Sequence, residues 1–146
     1  MADGFTWTLT GAREVQRRLR DYPPKLQNKA LRPAARSAMK IVRDAARVRA
    51  RQFDDPDTPA QIWRLIVTQV GKMKEPGVIM RVGVQGGARS RKDKAYPWYW
   101  RLIELGSETM RARPFLRPSL DNNAQAVAAK FISESNARMD KLPAGP

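Results

Sequence analysis

The chain contains neither histidine nor cysteine, and those two absences decide most of what its side chains could do chemically. Histidine is the usual general base and the commonest metal ligand, so Ser/His/Asp and Cys/His arrangements and most zinc sites are excluded. The remaining carboxylates cluster once, at Asp54, Asp55 and Asp57 in FDDPDTPAQ. That density suits calcium or magnesium, but two prolines interrupt it and the Asp-x-Asp-x-Asp-Gly spacing is missing. The alternative is a turn in which Asp or Thr58 accepts backbone N–H bonds and caps the next element. Glu104 stands between Ile103 and Leu105, where an acid is expected to pair with a cation such as Arg111 or Arg113, a structural role. Neither a Gly-Lys-Ser/Thr phosphate loop nor G-x-G-x-x-G occurs, and Gly86-Gly87 belongs to neither pattern. The residues therefore point away from an enzyme: no catalytic group, no metal and no cofactor is expected.

Charge is the stronger signal. The 28 Lys and Arg against 14 Asp and Glu leave +14, which favours nucleic acid, an anionic membrane or an acidic protein surface as partner. The excess is concentrated in residues 24–53, whose Ala, Arg, Lys and Leu content predicts the longest helix. There Lys25, Lys29, Arg32, Arg36, Lys40, Arg43, Arg47 and Arg51 recur at steps of 4, 3, 4, 4, 3, 4 and 4 residues, so they share an arc of roughly 100° on an ideal helix. With Arg49 and the single acid Asp44, the segment holds nine cations and one anion, +8 of the +14. Leu26, Ala30, Ala34, Ala38, Ile41, Ala45 and Val48 form the opposite, mostly small apolar stripe, expected to pack closely on a sheet. Like charges at i,i+4 destabilise a helix, and solvated faces normally interleave Glu with Lys. The row is either an ordinary solvated face or one compensated from outside, by an acidic surface of a neighbouring subunit or protein or by DNA phosphate. A membrane role is disfavoured, because the stripe lacks the Trp, Phe and Leu of interfacial helices.

The expected fold class is α+β: a small antiparallel sheet packed against a long, kinked basic helix and a C-terminal helix. At 146 residues the chain is expected to be one domain, 1–141, with 142–146 a flexible tail. No run approaches the ~18 apolar residues of a membrane-spanning helix, and MADGFTWTLTG lacks the basic-then-apolar order of an export signal. A short strand over 5–9 leads to a helix over 9–20 stopped by Pro23-Pro24. Pro33 falls about two turns into the long helix, which either kinks there or is two helices meeting; a kink is expected. QIWRLIVTQV and GVIMRVGV predict a hairpin of 62–70 with 78–84. Residues 86–95 carry Arg89, Arg91, Lys92 and Lys94 and predict a mobile basic loop that orders on assembly. Residues 97–105 read as a short helix between Pro97 and Gly106, with a strand as the alternative. Ser119 is the expected cap of a last helix over 119–139, whose Ala124, Val127, Ala128, Phe131 and Ile132 predict one buried stripe.

Between these elements lies YPWYWRLIELGSETMRARPFLRPSL, residues 96–120. Trp98, Tyr99 and Trp100, beside the basic loop, suit base stacking or, better, core and interface packing, and three adjacent rings cannot all face one core. The prolines of Arg113-Pro114-Phe115-Leu116-Arg117-Pro118 predict an extended lead-in that anchors Phe115 and Leu116 and hands over to the last helix. The order aromatic, Leu-Ile-Glu-Leu-Gly-Ser, Ala-Arg-Pro-Phe-Leu-Arg-Pro-Ser-Leu resembles the HK97 gp10-like family, tail-completion and head–tail joining proteins of tailed bacteriophages. Leu9-Thr10-Gly11 and the alanine-and-basic helix also look like that family, so the resemblance spans about residues 9–120. Glu104, Gly106 and the proline-flanked Phe-Leu run stand at the family's motif positions, with Ser107 where Thr is usual. What the resemblance implies is a non-catalytic virion protein, made in the host cytoplasm and assembled as a ring in the neck at the proximal end of the tail. Six-fold symmetry would match a tail tube. Implied partners are copies of itself, the tail terminator and the head-completion or connector proteins, with DNA contact in the neck lumen possible and no membrane partner. The alternative is a DNA-binding protein using the helix over 24–53 and the loop 86–95.

Overall fold

The computed structural model describes residues 11–54, 56–57, 61–72, 77–85 and 96–143. The strand expected over 5–9 and the basic loop with Arg89, Arg91, Lys92 and Lys94 lie outside the described residues. Within them the protein is α+β, with helices α1 (Ala12–Arg20), α2 (Pro24–Ala50), α3 (Ile62–Leu65), strands β1 (Ile66–Gly71) and β2 (Ile79–Val84), then α4 (Trp100–Leu105), α5 (Leu116–Asp121) and α6 (Ala124–Asp140). β1 and β2 are antiparallel, in a register that pairs Ile66 with Val84 and Gly71 with Ile79.

α2 is the strut on which everything else is mounted. It runs unbroken through Pro33, so the alternative of two helices meeting there falls away. Its buried residues are Ala30, Ala34, Ala38, Val42, Ala46 and Ala50, a strict four-residue repeat. On a helix of 3.6 residues per turn each such step advances about 40°, so the buried line winds roughly 200° between Ala30 and Ala50. The winding has a cause: α2 touches α6 as well as α3, α5 and both strands, so its partners change along its length. The predicted straight stripe is correct for Ala30, Ala34 and Ala38 and departs from the structure beyond them. Ile41 and Ala45 are half-buried, and Val48, on the azimuth of Ala30, is 61% exposed.

Two apolar clusters result. One gathers Ala46, Ala50, Ile62, Ile66, Val84, Tyr96 and Phe115, and the other Val15, Ala30 and Met139 with Leu19, Ile132 and Leu142 packed around them. Leu142, assigned on sequence to a flexible tail, thus belongs to a packed cluster. α1 is tied to α6 by Arg18, which donates to Asn136 Oδ1 at 3.0 Å and pairs with Asp140. The hydrogen bond that Arg18 donates to Asp140 holds its guanidinium above its ordinary pKa. Gly11 starts α1 at φ 89°, and a side chain there would meet Ile132 at 3.2 Å, so the Leu-Thr-Gly step needs its glycine on both counts.

Three boundaries differ from expectation. Residues 62–65 form a helical turn instead of the start of a strand, because Asp54 Oδ1 accepts the Ile62 N–H at 2.6 Å and Oδ2 the Trp63 N–H at 3.3 Å. The acid cluster thus does supply a cap, from eight residues upstream. Residues 97–105 resolve as helix only from Trp100. The last helix is two helices, α5 and α6. Ser119 lies inside α5, fully buried, its hydroxyl donating to the Phe115 carbonyl at 2.6 Å, so it cannot cap α6, which starts after Asn123.

Candidate partner-binding surface

The winding of α2 splits the predicted basic row in two. Lys25, Lys29, Arg32, Arg36 and Lys40 are exposed. They lie within about 80° of one another on an ideal helix and extend over roughly 22 Å of its length. Further along, the buried line has rotated to the same side, and the next two cations, Arg43 and Arg47, are drawn into contacts within the chain. Arg43 is half-buried and pairs with Asp44 at 2.9 Å. Arg47 clamps the sheet to the helix, its Nε and Nη2 donating to the Ile66 carbonyl at 3.1 and 2.9 Å. Arg51 stacks at 4.4 Å on the ring of Trp63, which Arg64 also approaches at 5.2 Å. Of the eight predicted cations, the five from Lys25 to Lys40 form one exposed row, Arg43 and Arg47 are half-buried, and Arg51, just past the end of α2, is exposed.

This division carries a prediction. Arg47→Ala leaves the Ile66 carbonyl without its two charged donors and is expected to lower the unfolding free energy by about 2 kcal/mol, while Lys40→Ala stays within about 0.5 kcal/mol of the parent. Urea unfolding with an unchanged m-value reads the difference. Equal effects at the two positions would show that Arg47 is no clamp.

Several polar side chains of the segment 96–120 bind within the segment itself. Glu104 is bound by backbone, not by arginine: Oε2 accepts the N–H groups of Phe115 at 2.7 Å and Leu116 at 3.0 Å, and Oε1 that of Arg117 at 3.0 Å. A carboxylate eleven residues upstream thereby closes the start of α5, whose first amides have no intrahelical acceptors. The expected partners Arg111 and Arg113 instead line a cleft with Asp54, and the Arg113 N–H donates to the Ile103 carbonyl at 2.7 Å. Gly106 ends α4 at φ 77°, ψ 175°, with space for a Cβ only 2.9 Å from the Ala112 nitrogen, a conformation and a gap that glycine alone tolerates. Ser107 Oγ accepts the Met110 N–H at 3.1 Å, so the hydroxyl at this motif position closes the turn.

The proline run leaves the extended region at Phe115, whose φ is −122° and ψ −26°. Leu116 opens α5, and Pro118 sits in its first turn, where no amide is required. Pro114 is half-buried and precedes the anchor it was expected to set: Phe115 is wholly buried, with Leu116 packed on its cluster. Trp98, Tyr99 and Trp100 are half-buried against that same cluster. Trp98 and Tyr99 meet edge to face with centroids 6.3 Å apart, and Trp100 Nε1 donates to the Tyr96 hydroxyl at 2.7 Å. These rings pack on that cluster and on one another.

Two features escaped the sequence reading. Leu105, held between the pinned Glu104 and Gly106, is 76% exposed. The α6 stripe of Ala124, Val127, Ala128, Phe131 and Ile132 is not buried as expected, and with Ala12, Val15 and Leu120 it lines an open apolar groove. A three-four repeat marks an apolar face, and nothing in it says whether another element covers that face. Among the described residues no group of acids is placed to hold a metal ion, and no helix is long and apolar enough to cross a membrane. In comparisons with known proteins the chain matches no family model, no curated protein and no solved structure.

Proposed function

We propose that this is a non-catalytic virion protein of a tailed bacteriophage, a tail-completion or head–tail joining component that forms an oligomeric ring in the neck. The observation that carries an assembly role is the exposed row Lys25, Lys29, Arg32, Arg36 and Lys40, five like charges along one helix face that an acidic neighbour would compensate. The phage assignment draws on the resemblance of residues 96–120, whose motif residues Glu104, Gly106 and Phe115 act as a frame. Copies of the chain, the tail terminator and the head-completion or connector proteins are the proposed partners, in the virion and, during assembly, in the host cytoplasm.

The same row favours a second reading, duplex DNA as the compensating anion. The two separate by salt. Five phosphate contacts give a slope of log affinity against log salt of about −4.5, whereas ring contacts need not weaken so steeply. The expected result is a closed ring by electron microscopy and light scattering when the chain is purified with its neck partners. A chain that stays monomeric with those partners and binds duplex with the steep slope would replace the ring with the DNA reading.

A further inference from the structure

We infer that the apolar strip centred on Leu120 docks an acidic, amphipathic helical segment of a partner protein, an inference that rests on the assembly reading above and gives its partner a chemistry. Two open grooves meet at this residue. One, of about 300 Å³, lies between α1 and α6 over Val15, Val127, Phe131 and Ile132. The other, of about 460 Å³, lies between α2, β2 and α5 over Met39, Val42, Met80, Val82 and Leu116. Leu120, 45% exposed, is a wall of both, so the two form one continuous apolar strip.

The rim decides what covers it. Arg81 and Arg117 line the second groove and Arg36 lies one turn before Met39, all three exposed. Among the described residues Glu104 is the one carboxylate lining either groove, and both its oxygens are held by the amides of residues 115–117. Exposed Asp121 is outnumbered by these cations. Concave apolar grooves accept the i, i+3 or i+4, i+7 anchors of a helix, and paired methionines adapt to such a guest. Its flanking residues should be acidic, to meet Arg36, Arg81 and Arg117. A DNA duplex supplies the anions but no apolar face, and a second copy arrives with its own +14.

The test uses the whole chain with 13C-methyl methionine and a synthetic helical peptide carrying leucine at i, i+3, i+4 and i+7 and glutamate elsewhere. The expected result is that this peptide shifts the Met39 and Met80 methyl signals and leaves Met110 in place. Leu120→Glu and Arg117→Glu, both at exposed positions, should each weaken binding about tenfold. Unmoved Met39 and Met80 signals, equal shifts from the lysine counterpart of the peptide, or shifts from a short DNA duplex alone would overturn the inference. So would signals that move with protein concentration and no peptide, which would make the strip a contact between copies. Normal rings formed by Leu120→Glu together with unmoved methyls would sink the docking strip and leave ring assembly standing. Clear peptide-specific shifts in a chain that never forms rings would do the reverse.

Discussion

Replacing Phe115 with alanine is expected to lower the unfolding free energy by about 3–5 kcal/mol, a large share of the roughly 5–15 kcal/mol that holds a typical domain. The ring is wholly buried among Ala46, Ala50, Ile62, Ile66, Val84 and Tyr96. These neighbours come from α2, α3, both strands and the approach to α4, so no single element can move to refill the space. Phe115→Leu keeps much of the volume and should lose distinctly less. Chemical denaturation of both variants gives the measurement. Near-equal losses would mean that the site collapses around the smaller residue and that Phe115 is not the joint between these elements.

Glu104→Ala is the second large effect, about 3 kcal/mol, since three N–H groups, those of Phe115 and Leu116 partly buried, lose a charged acceptor together. Glu104→Gln separates charge from shape: its amide oxygen replaces one acceptor, but its NH2 group must face a donor, so a good part of the loss should remain. The two sites are coupled because Glu104 accepts the N–H of Phe115 itself at 2.7 Å. The double variant should therefore lose less than the two single losses added together. A loss that matches their sum would separate the cap from the anchor. Catalytic tests would not reveal either role, because each acts on the fold.

These two residues show how far the chain could be read before its structure. The anchor was legible: prolines on both sides of Phe115-Leu116 restrict the backbone, and an aromatic held that way goes inward. The acceptor role of Glu104 was legible only as a need for partners. Side-chain types suggested arginine, but which backbone amides come within reach depends on how α4 and α5 cross, which no local pattern encodes. The same distinction explains α2. Its amphipathic character and its length were plain from composition, whereas an azimuth computed for a straight helix with one partner misplaced Ile41, Ala45 and Val48. A helix contacting α6, the sheet, α3 and α5 has to rotate its buried line to meet each one. Ile62–Leu65 misled for a related reason: β-branched content promised a strand, and the carboxylate of Asp54 turned the first four residues into a helical turn. Ser119 has the residue type of a cap, yet it is buried one turn into a helix that a remote glutamate had already closed.

The winding alanine line also sets the order in which the molecule can be made. α2 is completed by residue 50, but the helix against which part of it packs, α6, spans residues 124–140. During synthesis a 27-residue helix therefore waits with a bare line of methyl groups while more than half the chain is still to come. Contacts separated so widely in sequence close a long loop at an entropic cost, so they form late and slowly. The consequence is a timing device: a subunit acquires its finished shape only after residues 124–140 have been made, and partial chains present α2 without the groove that α6 completes.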